Sequence, residues 1–492
     1  MFLIVVGVLS LVLAFPSPPY RWLSDPGYVM LAVAAATLLP PLVAVLVGRR
    51  AVALLDAHPD HPGRGQYAFG RGMMVTQFLL AVCHATLFLL TDWVPFCGRT
   101  PVVGGWPLVS GLLAIVPFLV STLLMWIAVY PADRAVRHIA LETHLFRGRP
   151  IQPVWPLPKY LLFNLRHQVL FVLIPMVLIL AARDVIGLYE RQIDARWPNA
   201  HVSDLLLGSA AALVAIIAPL ILRYVWVTQR LPDGPLRDRL TSLCRKLRLR
   251  CREILVWRSG GMIVNAAVMG LVAPLRYVLI TDAMIEQLPD AKIEAVFGHE
   301  AGHVKRHHIP FFLLFAFISG CLVTILSARA QHLDRLTYQL LTVVGAGLLV
   351  FKWGVLFGWI SRRFERQADV FGVHTLALGG LPCDMPCALH HSTDGNPAGR
   401  ESPAILCSTA AHIFGDTLND VALLNGIPPG ARSWRHSSIS SRSRFVQKLA
   451  HDPAAARRFE RTLYRVKLAI LLTAAASGLW AGWELQIWRL LG

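Results

Sequence analysis

The stretch Asp290-Ala-Lys-Ile-Glu-Ala-Val-Phe-Gly-His299-Glu300-Ala-Gly-His303 is followed six residues later by an apolar run, Ile309–Ala328. Ile293, Val296 and Phe297 form one apolar face at helical spacing, and Pro289-Asp290 reads as the helix start, with Asp290 a candidate N-cap. On such a helix His299 and His303 lie one turn apart on the same face, so both can point at one metal ion. Glu300, rotated by about 100° from His299, reaches the same point and suits a general base acting on water. His307 and His308 enlarge the local cluster, which also fits a polar helix bearing surface histidines. The run that follows is long enough to cross a bilayer. Chemistry and membrane therefore meet in one segment.

A catalytic zinc site needs a third protein ligand and an open position. The extended pattern H-E-x-x-H-x-x-G-x-x-H is excluded, because Arg306 and Ile309 stand where it needs Gly and His. A carboxylate from a later helix is the remaining common solution, and Glu365-Arg366-Gln367-Ala368-Asp369 supplies one. Glu365 would bind the metal while Asp369, on the same helix face, accepts the free ring N–H of a ligand histidine. Glu365 would otherwise be a solvated carboxylate paired with Arg362 or Arg366. Against that, two apolar spans, Ile309–Ala328 and Leu340–Ile360, return the chain to the membrane side it left.

The 492 residues are 55% hydrophobic and only 15% charged, where a soluble chain carries about a quarter charged residues. Further spans read at Tyr28–Val47, Met73–Leu90, Pro107–Tyr130, Leu205–Val227 and Leu468–Ile487, with weaker ones at Met1–Phe15 and Val169–Ala182, nine in all. The net charge of +18 does not indicate nucleic acid, since the arginines sit in short loops between spans. Loops rich in Arg (Arg49, Arg50, Arg64 and Arg71; Arg134, Arg137, Arg147 and Arg149) alternate with poorer ones, which places the N-terminus inside and both large polar regions on the cytosolic side. Arg outnumbers Lys 40 to 7, a bias that hints at a GC-rich bacterial genome and hence an inner membrane.

The expected fold class is a polytopic α-helical membrane protein with a cytosolic α+β peptidase domain. The divisions are a multi-span region 1–227, a first peptidase part 228–308, a transmembrane hairpin 309–360, a second peptidase part 361–467 and a last span 468–492. In the first part Leu236–Leu247 reads as a helix, and Glu253–Trp257, Met262–Val268 and Tyr277–Thr281 as strands. The second opens with a helix from Arg362 to about Leu378, passes through a loop, Gly379–Pro403, and ends in helices. Cys383, Cys387, His390, His391 and Cys407 would make a second metal site only without the usual C-x-x-C knuckle, so free thiols are the expectation.

His299-Glu300-Ala301-Gly302-His303 followed by Glu365-x-x-x-Asp369 resembles the membrane metallopeptidase family that contains type I CAAX prenyl protease and HtpX. Asn265-Ala266 is similar to that family's edge-strand motif, and His436-Ser437-Ser438-Ile439-Ser440-Ser441-Arg442 to its His-Pro-x-x-x-x-Arg segment, with Ser437 in place of Pro. The resemblance spans about Leu236–Leu449. It implies a gluzincin fold with Glu365 as third ligand, substrate added as a strand beside Asn265 and Ala266, and His436 and Arg442 as catalytic groups that stabilise an oxyanion. The expected activity is a zinc endopeptidase with one Zn2+ per chain, acting on membrane-associated polypeptides and embedded in lipid. The rival readings are a transporter or channel, with Lys352 inside a span as its best feature, and a sensor-transducer peptidase that cleaves a regulator. Topology is testable by single-cysteine labelling in intact cells: positions near Arg64, Arg147 and His391 should be shielded, and those near Thr100 and Gln331 labelled from outside. External labelling near His391 would overturn the assigned sidedness.

Overall fold

A computed structural model describes residues 22–58, 62–101, 105–146, 154–197, 202–261, 263–330, 333–384, 406–428, 430–431 and 433–484. The chain divides into two compact units, one running to Ala218 and the other built from Pro219–Ala330 and Leu340–Glu484.

The first unit is helical: α1 (Pro26–Ala57), α2 (Gly63–Leu90), α3 (Trp93–Arg99), α4 (Pro107–Phe146), α5 (Leu157–Asn164), a π-turn (Leu165–Val169), α6 (Leu170–Arg196) and most of α7 (Val202–Val225). Asp25 caps α1 by accepting from the Gly27 and Tyr28 amides, with Pro26 in the first turn, where its missing N–H costs nothing. Phe88, Phe118, Trp126 and Val129 fill its core. Large side chains such as Phe78, Leu42 and Leu46 point outward. That is the surface expected of helices whose solvent is lipid.

The second unit carries β1 (Thr228–Arg230), α8 (Pro235–Lys246), β2 (Glu253–Trp257), β3 (Ala266–Met269), β4 (Tyr277–Thr281), α9 (Asp282–Gln287), α10 (Asp290–Lys305), α11 (His308–Ala330), α12 (Arg335–Phe351), a π-turn (Lys352–Leu356), α13 (Phe357–Leu378), α14 (Ser408–Leu424), α15 (Ile439–His451) and α16 (Pro453–Glu484). The sheet order is β1-β2-β4-β3, with β2 and β4 parallel and the other pairs antiparallel. Every residue of β4 is buried, because both faces are covered: Val278 and Ile280 pack with Ile293 and Phe297 of α10, and Tyr277 and Leu279 with Trp226 and Trp257. β3 is an edge strand. Its turn to β4 requires Gly270, whose φ is +111° and where a Cβ would sit 2.4 Å from the Leu275 carbonyl oxygen.

Two expectations need correction. The third strand begins at Ala266 and not near Met262, because the Val264 amide and carbonyl are paired with the Asn425 side chain instead of a strand. The α10 N-cap is Pro289, so Asp290 sits in the first turn, where its charge still favours the helix end. Among the described residues eight helices are long and apolar enough to cross a membrane, including Leu157–Arg196, His308–Leu326 and Pro453–Glu484. The ninth expected span, Met1–Phe15, and most of the expected loop at 379–403 lie outside the described residues.

The contact that matters for the site is between α10 and α13. A Cβ at Gly298 would lie 2.6 Å from the Thr375 Cβ, and one at Gly302 would lie 3.0 Å from the Phe371 Cβ and 3.1 Å from the Ala368 Cα. The two glycines thus set how closely the helices approach. Gly302→Val should lower Tm measurably, by an overpacking cost of about 1–3 kcal/mol, and should reduce metal uptake; an unchanged melting curve and full uptake would show that this approach does not set the site.

Candidate metal centre

α10 presents His299 and His303, and α13 presents Glu365, on facing surfaces of the second unit. One ligand atom from each lies within 4.8 Å of the others, the sole such grouping among the described residues. The spacings are 3.2 Å between the two histidine Nε2 atoms, 3.6 Å from His299 Nε2 to Glu365 Oε2 and 3.7 Å from His303 Nε2 to Glu365 Oε1. Atoms about 2.0–2.2 Å from a tetrahedral zinc stand roughly 3.3–3.6 Å from one another, so the cluster has the size of a metal.

The remaining ring nitrogens decide whether those Nε2 atoms are lone pairs. His299 Nδ1 lies 2.9 Å from Asp369 Oδ1, so its proton is on Nδ1 and Nε2 is free to donate electrons. Asp369 is fully buried and takes two bonds from Arg442, Nε to Oδ2 at 2.9 Å and Nη2 to Oδ1 at 2.5 Å. This fork–fork pair keeps the buried carboxylate charged. Burial alone would lower the His299 pKa, but the hydrogen bond and charge of Asp369 outweigh it and hold the imidazole above its ordinary value.

His303 is oriented by a route that sequence reasoning missed. Its Nδ1 is 3.0 Å from His308 Nδ1, and His308 Nε2 is 3.0 Å from Gln367 Oε1. Lys467, which can only donate, also bonds that Oε1, at 3.1 Å. Oε1 is therefore an acceptor, His308 carries its proton on Nε2, and His308 Nδ1 accepts the proton of His303 Nδ1. With these tautomers both histidines present Nε2 lone pairs to each other, an arrangement that a cation between them would stabilise. His308 reaches this place because His307 takes a φ of +59° and breaks α10 from α11. The exposed His307 is the bland surface histidine and the buried His308 is not. A pair of histidines at a helix end carries no sequence signal of that difference.

Glu300 sits beside the cluster. Burial pushes its carboxyl up to about 7; the Glu365 charge adds to the rise, while His299 and a hydrogen bond from the Val268 backbone oppose it. The helix that carries Glu300, α10, packs directly against edge strand β3. Burial, with a smaller contribution from His299, lowers His303 to about 4, which keeps it neutral.

The other expected residues fall around the cluster. His436 Nδ1 is 3.0 Å from Glu365 Oε2 and its side chain is 44% exposed, so it is open to a substrate. Arg442 is buried with its guanidinium committed to Asp369 and Nη1 3.7 Å from Glu365 Oε2. Asn265 precedes β3, its amide bonded to Thr281 Oγ1 and its carbonyl to the Thr281 amide, while Ala266 opens the strand and is buried. Cys383 and Cys407 lie 3.6 Å apart, and Cys387, His390 and His391 fall outside the described residues.

Residues 233–406 match the model of Peptidase family M48. The match contains His299, Glu300, His303, Glu365 and Asp369 and ends before His436 and Arg442. A protein called Protease HtpX homolog from Archaeoglobus fulgidus is 27% identical over 165 residues, 33% of this chain and 48% of that protein. A CAAX prenyl protease 1 homolog from Dictyostelium discoideum is 28% identical over 224 residues, 38% of this chain and 51% of that one. The chain spans about half the length of these curated relatives. The crystal structure of S. mikatae Ste24p aligns with a TM-score of 0.47 at 15% identity, covering 87% of this chain and 99% of that one.

Replacing His308 by Ala should leave the fold intact and weaken zinc binding by roughly 10–100-fold, the usual cost of losing a ligand's hydrogen-bond partner. Metal titration monitored by competition with a chelator reads this directly, and wild-type affinity would show that His308 does not orient His303.

Proposed function

We propose, from the M48-matching region and the metal-sized cluster inside it, that this chain is an integral-membrane zinc endopeptidase that cleaves membrane-associated polypeptides on the cytosolic side of a bacterial inner membrane. The observation that carries this is the pair of inward-facing Nε2 atoms closed by Glu365, with Glu300 alongside. His299, His303 and Glu365 would hold one zinc per chain. Zinc there would supply Lewis acidity, lowering the pKa of water towards about 7 and polarising the scissile carbonyl.

The chain's own residues do the rest. Glu300, beside the cluster, takes a proton from the attacking water at its carboxylate and returns it to the leaving amine. His436 is the half-exposed donor beside the cluster and serves the developing oxyanion. Arg442 acts from behind, fixing Asp369 and so the His299 tautomer. Substrate binds as an added strand on β3. Asn265 faces β4 through its backbone, so alternation turns the Ala266 and Val268 backbone outward, on the edge of the strand that packs against the helix carrying Glu300. Backbone pairing of this kind tolerates many side chains. The peptidase parts, 228–308 and 361–467, flank a hairpin of spans, so substrates in or beside the bilayer have the shortest route.

The transporter reading loses its best feature. The Lys352 ammonium is bonded to the Phe315 carbonyl at 2.6 Å and the Ser319 hydroxyl at 2.5 Å and lies 3.7 Å from the Phe315 ring centroid, so it is satisfied within its own hairpin.

Purified wild-type protein should contain about one zinc and cleave casein or membrane peptides. Glu300→Gln should keep the zinc and lose activity, Glu365→Ala should lose both, and His436→Ala should keep zinc while turnover falls roughly 10²-fold. Full zinc and full activity in Glu365→Ala would contradict the third ligand, and a zinc-loaded wild type that cleaves nothing would contradict the peptidase reading.

A further inference from the structure

We infer that Trp434 is a positioning residue: by gripping the π-turn at 352–356 it holds His436 against Glu365. The inference rests on the place given above to His436.

The helix that delivers Glu365 is not a continuous α-helix. At Lys352–Leu356 the hydrogen bonding shifts to the i→i+5 pattern, with the Phe357 amide bonding the Lys352 carbonyl, before α13 resumes. A π-turn widens the helix, exposes carbonyls to side-chain donors and is often found at functional sites. Here one such carbonyl, Gly354 O, receives the indole N–H of Trp434. The other end of Trp434 is held as well, since Arg362 Nη1 donates to its backbone carbonyl at 2.7 Å. Both anchors belong to the helical segment that carries Glu365, and Arg362 lies one turn before it. Two residues past Trp434, His436 meets Glu365 at 3.0 Å.

Three further features show that this contact is built in. A Cβ on Gly358 would lie 2.6 Å from the Trp434 Nε1, so the indole seats only because that residue is Gly. Phe357 packs against the same indole, with ring centroids 5.7 Å apart. Ser437, immediately after His436, has a φ of +64°, a strained conformation for a non-glycine residue that persists only where its surroundings over-determine it. Those surroundings are Ser433 before it, whose carbonyl accepts from the Ser437 amide at 3.2 Å and whose hydroxyl accepts from the His436 amide at 3.3 Å, and, after it, Ser438, whose side chain caps α15 through the Ser441 amide. A proline at 437 could not adopt that φ.

The π-turn is itself pinned, because Lys352 at its first position bonds Phe315 and Ser319 of α11. The polar contacts therefore run without a break from α11 through Lys352 and the π-turn to Trp434, and from there along the chain to His436 and the Glu365 carboxylate. A charge inside a span, puzzling by itself, sits at the far end of this series.

The test is Trp434→Phe, which keeps the ring and removes the N–H. Turnover of zinc-loaded protein on casein should fall roughly 10-fold or more, with KM changed by less than about twofold and zinc content unchanged. If Trp434 acts through His436, adding Trp434→Phe to His436→Ala should cost nothing further. Gly358→Ala, which pushes the indole off Gly354, should reproduce the single-variant result. A second readout needs no activity. In zinc-loaded Glu300→Gln protein, diethyl pyrocarbonate should modify His436 faster when Trp434 is Phe, as read by peptide mass spectrometry. Wild-type turnover together with unchanged His436 labelling would overturn the inference, as would losses that multiply in the double variant. If zinc-loaded wild type cleaves nothing, the peptidase reading fails and the labelling alone decides the positioning role.

Discussion

Two buried imidazoles must each present a bare Nε2 to one point in space, and the rest of the site follows from that constraint. A neutral histidine carries one ring proton, so each Nδ1–H needs an acceptor inside the protein. Asp369 accepts from His299 and His308 from His303. Each acceptor then needs its own partner. Asp369 is a buried carboxylate and would be costly to ionise without the Arg442 fork. His308 is fully buried and donates its single ring proton to Gln367, which is tied to Lys467 and Glu460. Five helices, α10, α11, α13, α15 and α16, are thereby committed to orienting two nitrogens.

The same dependence explains why the peptidase region is threaded through spans. α10 gives way to α11 at His307, and α12 returns through the π-turn into α13, so both ligand-bearing helices are continuations of membrane-crossing segments. Lys467, near the apolar part of α16, adds a third tie through Gln367 and the Arg306 carbonyl. The distance between the motifs is set by direct packing of α10 on α13. Close approach of α10 and α13 at Gly298 and Gly302 completes that spacing.

The parts of this arrangement that were legible in the sequence are those encoded by local periodicity. The i, i+4 histidines, the Glu365 and Asp369 pair, two of the three expected strands and the long apolar spans all state their structure within a window of a few residues. Asp369 as partner of a histidine of the motif was also legible from the helix face it shares with Glu365, and in the structure it meets His299 Nδ1. The illegible parts depend on chain reversals. The left-handed residues His307 and Ser437 are neither Gly nor Asn, so nothing marks them as turns, yet they aim His308 and fix the backbone beside His436. Arg442 reads as a catalytic cation from the resemblance, and only the tertiary structure reveals its paired bonds to Asp369, with Nη1 3.7 Å from Glu365 Oε2. A charge inside a span marks a pathway or pairs within the bundle, and the sequence does not name the partners of Lys352, the Phe315 carbonyl and the Ser319 hydroxyl.

The most direct test of the account is the coordination shell of the metal itself. X-ray absorption at the zinc edge of purified protein should show two imidazoles and oxygen ligands at about 2.0–2.2 Å, with no sulfur. A sulfur shell at about 2.3 Å would put the metal among cysteines such as Cys383 and Cys407, and would contradict a site built from His299, His303 and Glu365.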